Sequence, residues 1–264
     1  MPRTEATRGR IRARRPVAEG SWLFTLETDP ALPEAEPGQF VQVEVPGRTL
    51  LRRPFSVAGT PERGRLELLF EVRGDGTRDL ASLPDGGELA LTGPLGRAFE
   101  KHPAGAAAVL VAGGIGVAGL RMLAFRLAAA RVPTTAFVGA RGAGRLLHRE
   151  LPPAGDHLRI EPATDDGSEG RPGTVCELFE ERSGELPDGA RVYLCGPRPM
   201  IRTAGRTAVE HGLRAFALLE ETMACGVGAC RGCVVETRDG YRTVCADGPV
   251  FDVADLMPVW RSDD

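Results

Sequence analysis

Up to about residue 99 the apolar positions fall in short runs broken by Gly and Pro: Ser21 to Leu26, Phe40 to Val45, Leu66 to Val72 and Glu88 to Leu91. Runs of that length, bounded by turn residues, predict antiparallel strands and together a small closed barrel. From Ala106 the rhythm changes to apolar strand, glycine turn, then Ala- and Leu-rich helix, repeated. Strands are predicted at Ala108 to Ala112, Thr135 to Val138, Leu158 to Ala163, Val192 to Cys195 and Phe216 to Leu219, with helices near 117–131, 174–182 and 198–211. That alternation predicts a parallel sheet covered on both faces. After Leu219 neither rhythm continues. Residues 222–233 are mostly small residues and cysteines, so a loop wrapped on something other than a hydrophobic core is expected there. The expected fold is multidomain β plus α/β: an antiparallel barrel over 1–99, a parallel α/β unit over 100–219 and a small unit over 220–264.

At 264 residues the chain is long for one compact domain and comfortable for two plus an appendage. Its charges nearly cancel to a formal −3, which gives no reason to expect a nucleic-acid partner. The N-terminus is basic (Arg8, Arg10, Arg12, Arg14, Arg15) but has no apolar run behind it, so it fails as a secretory signal and reads as a solvated strand edge. No uncharged stretch reaches the roughly 20 apolar residues of a membrane span. A soluble, cytoplasmic protein is expected. His102, His148, His157 and His211 are scattered without ligand spacing, and no serine or cysteine shows a nearby base in a hydrolase-like order.

Of the six cysteines, Cys225, Cys230, Cys233 and Cys245 cluster, spaced by four, two and eleven residues. Clustered thiols in a larger intracellular chain point to metal or redox work, not to a disulfide scaffold. The first three match plant-type [2Fe–2S] spacing. Four thiolates on iron carry net negative charge, so the loop must supply neutralising dipoles. Gly226, Gly228 and Gly232 let backbone N–H groups turn toward sulfur, and no Asp or Glu occurs from Thr222 to Val235. A structural zinc site is the alternative, but such sites usually present two paired-cysteine hooks, and Cys245 has no near partner in sequence.

Two further stretches carry candidate chemistry. Arg52-Arg53-Pro54-Phe55-Ser56 precedes Gly74-Asp75-Gly76-Thr77 by about twenty residues, and Gly93-Pro94-Leu95-Gly96 closes the barrel. A guanidinium pairs well with phosphate oxygens, and glycine permits close backbone approach. Val109 to Gly119 reads as strand, glycine turn and helix start, with Gly113, Gly114 and Gly116 in the turn. Such a turn sets helix N-terminal amides against a pyrophosphate. The acid that usually follows about twenty residues later is missing from Thr134 to His148, where Arg141 and Arg145 stand instead, so NADPH is not excluded. A second motif, Tyr193-Leu194-Cys195-Gly196-Pro197-Arg198-Pro199-Met200, follows downstream.

These motifs at this spacing resemble the ferredoxin reductase superfamily. The resemblance implies that Arg53 contacts FAD phosphates and that Ser56, with Pro54 and Phe55, lies near the flavin. It further implies that Leu69, Phe70 and Glu71 line the flavin and that Gly76 and Thr77 meet its pyrophosphate. Glu71 departs from the pattern, since relatives can have a basic residue there. For the nicotinamide dinucleotide it implies Gly113, Gly114, Gly116, Gly196, Pro197 and Met200 as contacts, and Cys195 as a catalytic residue beside the nicotinamide ring.

From about residue 36 to 251 the chain is similar to the electron-transfer subunits of two-subunit, NAD-dependent dihydroorotate dehydrogenases. Glu221 to Cys233 and Val244 to Phe251 are the most diagnostic stretches, and Thr164-Asp165-Asp166-Gly167-Ser168 echoes the family; Arg97-Ala98 and Gly119 depart from it. The resemblance implies that an FMN-containing catalytic partner oxidises dihydroorotate to orotate in pyrimidine synthesis, within a heterotetramer of two of each subunit. Electrons would then pass singly through the [2Fe–2S] centre to FAD and as hydride to NAD+. An exposed apolar patch around the cluster unit is expected to face that partner. Small subunits of ferredoxin- or sulfide-linked NAD(P) oxidoreductases share all three parts, but in some of them the first cluster ligand is not cysteine, so Cys225 favours the former family. A non-enzymatic iron–sulfur carrier on the same scaffold would not let NADH reduce its flavin.

Overall fold

The computed structural model of the chain describes residues 6–260 apart from 31, 33 and 46–50. The first half is built from β1 (Ala6–Ala18), β2 (Ser21–Glu27), β3 (Phe40–Glu44), β4 (Arg53–Gly59), β5 (Arg65–Glu71), the helix α1 (Asp75–Ser82) and β6 (Glu88–Leu95). The six strands close into an antiparallel barrel in the order β1-β2-β5-β4-β3-β6, and closure removes the free edges on which a strand from another chain could pair. Alternate residues fill it: Phe24, Leu26, Val41, Val43, Leu68, Phe70, Leu89 and Leu91 share one core. The Phe24 and Phe70 rings meet edge to face at 5.0 Å. On β3 the opposite face, carrying Phe40 and Gln42, is buried as well, each residue about 3% exposed. Its cover comes from later in the chain.

One detail differs from expectation. The basic segment is a strand but not an edge, because β1 pairs with both β2 and β6. Its arginines are spent within the fold: Arg15 grips the Glu150 carboxylate with two bonds (2.8 and 2.6 Å), and Arg14 donates to the carbonyls of Ala81 and Leu83. Residues 74–77 form the start of α1. The Thr77 hydroxyl folds back to accept the N–H groups of Arg73 (2.9 Å) and Gly74 (3.2 Å).

The second half comprises β7 (Ala108–Gly113), α2 (Val117–Ala129), β8 (Thr134–Ala140), β9 (Leu158–Thr164), β10 (Arg171–Pro172), α3 (Val175–Ser183), β11 (Arg191–Cys195), α4 (Arg198–Glu210) and β12 (Arg214–Leu218). The strands form a parallel sheet in the order β10-β9-β8-β7-β11-β12. Alternate residues of β7 enter different cores. Val109 and Val111 pack with Phe179 of α3 and Ile201 and Ala204 of α4, while Leu110 and Ala112 pack with Leu120, Leu123 and Leu127 of α2. A strand covered on both faces has no polar side to show, which is why it reads as an uninterrupted apolar run. Thr174 and Glu177 cap α3 reciprocally.

Residues 222–233 hold no helix or strand, as the loop reading expects, and the chain beyond them is ordered. It forms a hairpin of β13 (Val234–Thr237) and β14 (Gly240–Thr243), then β15 (Val250–Asp252) and the short helix α5 (Val253–Leu256). β15 pairs antiparallel with β12, extending the parallel sheet by one strand. Arg121 of α2 ties barrel to sheet: nearly buried, it donates to Glu67 Oε2 (2.5 Å) and the carbonyls of Ala58 (3.0 Å) and Glu150 (2.9 Å). Among the described residues no helix is long and apolar enough to cross a membrane.

Candidate functional site

Two adjoining clefts open between barrel and sheet, the larger bordered also by the C-terminal segment. The larger, about 860 Å³, runs between β4 and β5 of the barrel and the carboxyl ends of β11 and β12. Arg53, Pro54, Phe55, Ser56, Leu69, Phe70 and Glu71 form one wall, and Gly196 and Pro197 stand opposite. The second cleft, about 790 Å³, lies over the carboxyl ends of β7, β8 and β9 and the start of α3; Gly113, Gly114, Pro197 and Met200 line it. Crevices outside the carboxyl ends of parallel strands are where open α/β sheets bind ligands. Glu71, Arg73, Ile115 and Pro197 line both clefts, so the two are continuous.

Local packing explains the glycine turn. A Cβ on Gly113 would sit 2.5 Å from Met200 Sδ, and one on Gly116 only 2.1 Å from the Cys195 carbonyl oxygen. Gly116 therefore buttresses the cleft from behind and is not part of its lining. Gly119, a departure from the family pattern, faces Cys195 Sγ, which a Cβ there would approach to 2.9 Å. Cys195 itself is fully buried at the end of β11, lines neither cleft, and burial pushes its thiol pKa well above the ordinary value. A catalytic Cys195 is thus not what the placement supports. Its protonated thiol is a packing element beneath Gly196, reached only if the wall moves.

Glu71 shows why a carboxylate is tolerated here. It accepts from Arg73 Nε (2.7 Å) and from an Arg145 nitrogen (3.0 Å), so its charge is met by two guanidinium groups, Arg73 lining both clefts and Arg145 the second. Arg53 donates to the Leu51 carbonyl (3.1 Å). Gly76 and Thr77 are outside both linings, and the Thr77 hydroxyl is occupied by its own loop. The sequence reading missed Arg73, Ile115 and Glu220 in the larger cleft and Thr174 and Glu180 in the second. Asp165, which follows β9, places an acid in the lining of the second cleft although 134–148 holds none. Its signal was the Thr164-to-Ser168 stretch.

Glu220 is reachable by solvent in the open cleft, yet the walls around it desolvate it and raise its carboxyl pKa, with Arg73 pulling it back in part. A raised carboxyl contributes stability that is intact below the unfolded glutamate pKa and lost as pH rises through the folded value. Glu220→Gln is therefore expected to match the parent at about pH 4 and to exceed it at about pH 8, by less than ~1 kcal/mol. Urea unfolding at both values checks this; a pH-independent difference would contradict it.

The four clustered cysteines meet two and two. Cys230 N–H donates to Cys225 Sγ (3.4 Å) and Cys245 N–H to Cys233 Sγ (3.4 Å), while Gly228 N–H reaches Cys245 Sγ (3.1 Å) and joins the pairs. The outer pair is half-buried and exposed, the inner pair about 2% exposed within the core of the sheet. Among the described residues no three His, Cys, Asp or Glu side chains converge on one ion position. Two adjoining thiol pairs are a donor set that would fit a two-iron centre, which would supply one-electron transfer there. At Cys225, burial is outweighed by the N–H groups of Cys230, Val227 and Ala229 and by the Cys230 thiol, bringing its pKa to about 6. At Cys245, burial and the Cys233 thiol push the value to about 12. Thr222, Met223 and Pro249, which flank the cysteines, line the larger cleft.

The iron–sulfur cluster binding domain of dihydroorotate dehydrogenase B, as a family, matches residues 220–257. Over 256 residues the chain is 35% identical to the electron transfer subunit of dihydroorotate dehydrogenase B (NAD(+)) of Caldanaerobacter subterraneus subsp. tengcongensis, covering 95% of this chain and 98% of that one. The corresponding subunit of Shouchella clausii is 36% identical, over 91% and 94% of the two chains. This chain belongs to the family of dihydroorotate dehydrogenase B electron-transfer subunits. Its ferredoxin-reductase-like architecture also appears in the solved structure of an NADH-dependent reduced ferredoxin–NADP oxidoreductase. That protein is 26% identical with a TM-score of 0.80, covering 96% of this chain and 94% of that one. The ferredoxin reductase of a carbazole 1,9a-dioxygenase, at 23% identity and a TM-score of 0.69 over 79% and 66% of the chains, shares the fold.

Proposed function

We propose that this subunit relays electrons between a catalytic dihydroorotate dehydrogenase partner and NAD+ in the pathway to orotate and UMP. It would do so with FAD in the larger cleft, the dinucleotide in the second and a [2Fe–2S] centre on Cys225, Cys230, Cys233 and Cys245. The observation that carries this reading is the shared wall: Thr222, Met223 and Pro249 border the larger cleft, and Ile115 and Pro197 join it to the second. When bound, FAD supplies the conversion between single electrons and a hydride pair. The chain's own residues bind, orient and exclude water. Arg53 is the phosphate clamp, Pro54 to Ser56 with Leu69 and Phe70 form the flavin wall, and the Glu71–Arg73–Arg145 group fixes the barrel rim against the sheet. Gly113, Gly114, Gly196, Pro197 and Met200 take the dinucleotide. Gly116 and Cys195 support them from behind, and Gly76 and Thr77 shape the α1 start behind the rim. The division into 1–99, 100–219 and 220–264 assigns one cofactor to each unit, with β15 crossing back onto the middle one.

The partner is an FMN-containing catalytic subunit in an assembly of two of each. Val227, Val234 and Tyr241, exposed on the cluster unit, support docking there. Six free cysteines support a reducing cytoplasmic setting. The test is dihydroorotate-dependent NADH formation by the chain with and without that partner. Activity is expected only with both present, and Arg53→Ala should weaken FAD binding by roughly 10- to 100-fold through loss of a charge-assisted contact. Dihydroorotate oxidation by the chain alone, or unchanged FAD affinity in the variant, would refute the corresponding part.

A further inference from the structure

Among the described residues the buried side-chain nitrogen and oxygen atoms without a hydrogen-bond partner are Gln42 Nε2 and His148 Nδ1. Gln42 lies on the outer face of β3, opposite Pro54 of β4, and only about 3% of it is exposed. Its cover is the cysteine loop. A Cβ on Gly226 would lie 2.7 Å from Gln42 Nε2 and 2.8 Å from Cδ, and Gly226 has φ +71°, so both its conformation and its bareness serve this contact. A buried amide N–H left unpaired costs about 1–3 kcal/mol, so an acceptor at this point is to be expected. The neighbouring loop turns its own N–H groups toward sulfur at Cys225 and Cys245. Sulfur of an anionic iron–sulfur centre is an acceptor of the required kind.

We propose that the Gln42 side-chain amide donates an N–H···S hydrogen bond to the [2Fe–2S] centre on the Cys225 side, making a barrel strand a determinant of the centre's reduction potential. This rests on the reading that the four cysteines hold such a centre. The β3–β4 pair would then serve two cofactors, presenting Arg53 to Ser56 to the flavin cleft and Gln42 to the cluster. A donor stabilises the more negative reduced state more than the oxidised one and so raises the potential. The group acts through position and charge, without taking part in electron transfer itself.

The experiment is an EPR-monitored redox titration of the full chain purified with its cluster. Gln42→Leu keeps much of the volume and removes the donor, and Gln42→Glu replaces it with an acceptor. The midpoint should fall in the first and fall further in the second; two clusters titrating at the parent value would overturn the proposal. A measurement without substitution stands beside it. Only Gln39 and Gln42 carry this amide, and Gln39 Nε2 donates to the Gly96 carbonyl (2.8 Å). In protein labelled with side-chain ¹⁵N glutamine, pulsed EPR of the reduced centre should show a ¹⁵N coupling that Gln42→Leu abolishes. Absence of that coupling in the parent overturns the proposal. A parent chain with no [2Fe–2S] spectrum instead refutes the cysteine assignment, so the two failures are distinguishable.

Discussion

Serine at any one of Cys225, Cys230, Cys233 or Cys245 is expected to abolish the visible absorbance of the iron–sulfur centre and to cut dihydroorotate-linked turnover in the assembled enzyme by ~100-fold or more. Changes merely adjacent to metal ligands already cost 10- to 100-fold, so loss of a ligand exceeds that. The stability cost should differ between the two pairs. Cys225 and Cys230 sit at the outer rim, and their serine variants should unfold close to the parent. Cys233 and Cys245 lie in one core with Val244, Ile201 and Phe251, where a hydroxyl without a partner costs about 1–3 kcal/mol. Reduction of the flavin by NADH should survive in the outer-pair variants, because neither cysteine lines a cleft. A variant that lacks the absorbance yet sustains dihydroorotate-linked turnover would contradict this arrangement. Absorption spectra, thermal unfolding and coupled assays on the four variants provide the readouts.

Gly116→Ala is expected to destabilise the chain by about 3 kcal/mol, near the upper end of overpacking effects, and to lower Tm on the order of 10 °C. The new Cβ would lie 2.1 Å from the Cys195 oxygen, 2.5 Å from its carbonyl carbon and 2.8 Å from Gly196 Cα. All three are backbone atoms, and β11 is held on both sides by parallel ladders to β7 and β12, so the wall cannot recede cheaply. Gly114→Ala is the contrast. Its Cβ meets nothing within 4 Å, and only its φ of +53° opposes the change, for a cost of about 1 kcal/mol. Equal losses in the two variants would mean that backbone contact beneath the cleft does not govern stability there.

The larger periodicities were legible without coordinates because burial imposes them. β7 is covered on both faces and must be apolar throughout, and the barrel strands alternate because one face looks inward. Elements whose stability comes from partners distant in sequence were less visible. β1 looks like a charged edge until Glu88, Glu150 and the carbonyls of Ala81 and Leu83 are seen to meet its arginines. The β13–β14 hairpin carries no long apolar run, and β15 has three residues that make sense only beside β12. That the four cysteines gather in one place was legible from their spacing. Glu71 was not, because its tolerance depends on Arg145, more than seventy residues away. The burial of Cys195 was not legible for the reverse reason: the motif names the residue, but only packing against Gly119 reveals that its sulfur turns inward. Gln42 looks like any polar residue in a strand until Gly226 closes over it.

The most direct test of continuous electron transfer through the crevice is an anaerobic addition of NADH to the isolated full chain carrying FAD and its iron–sulfur centre, followed by optical and EPR spectra. Bleaching of the flavin together with the appearance of the reduced [2Fe–2S] signal is the expected result. A flavin that bleaches while the centre stays oxidised and EPR-silent would mean that the wall formed by Thr222, Met223 and Pro249 separates the carriers instead of joining them.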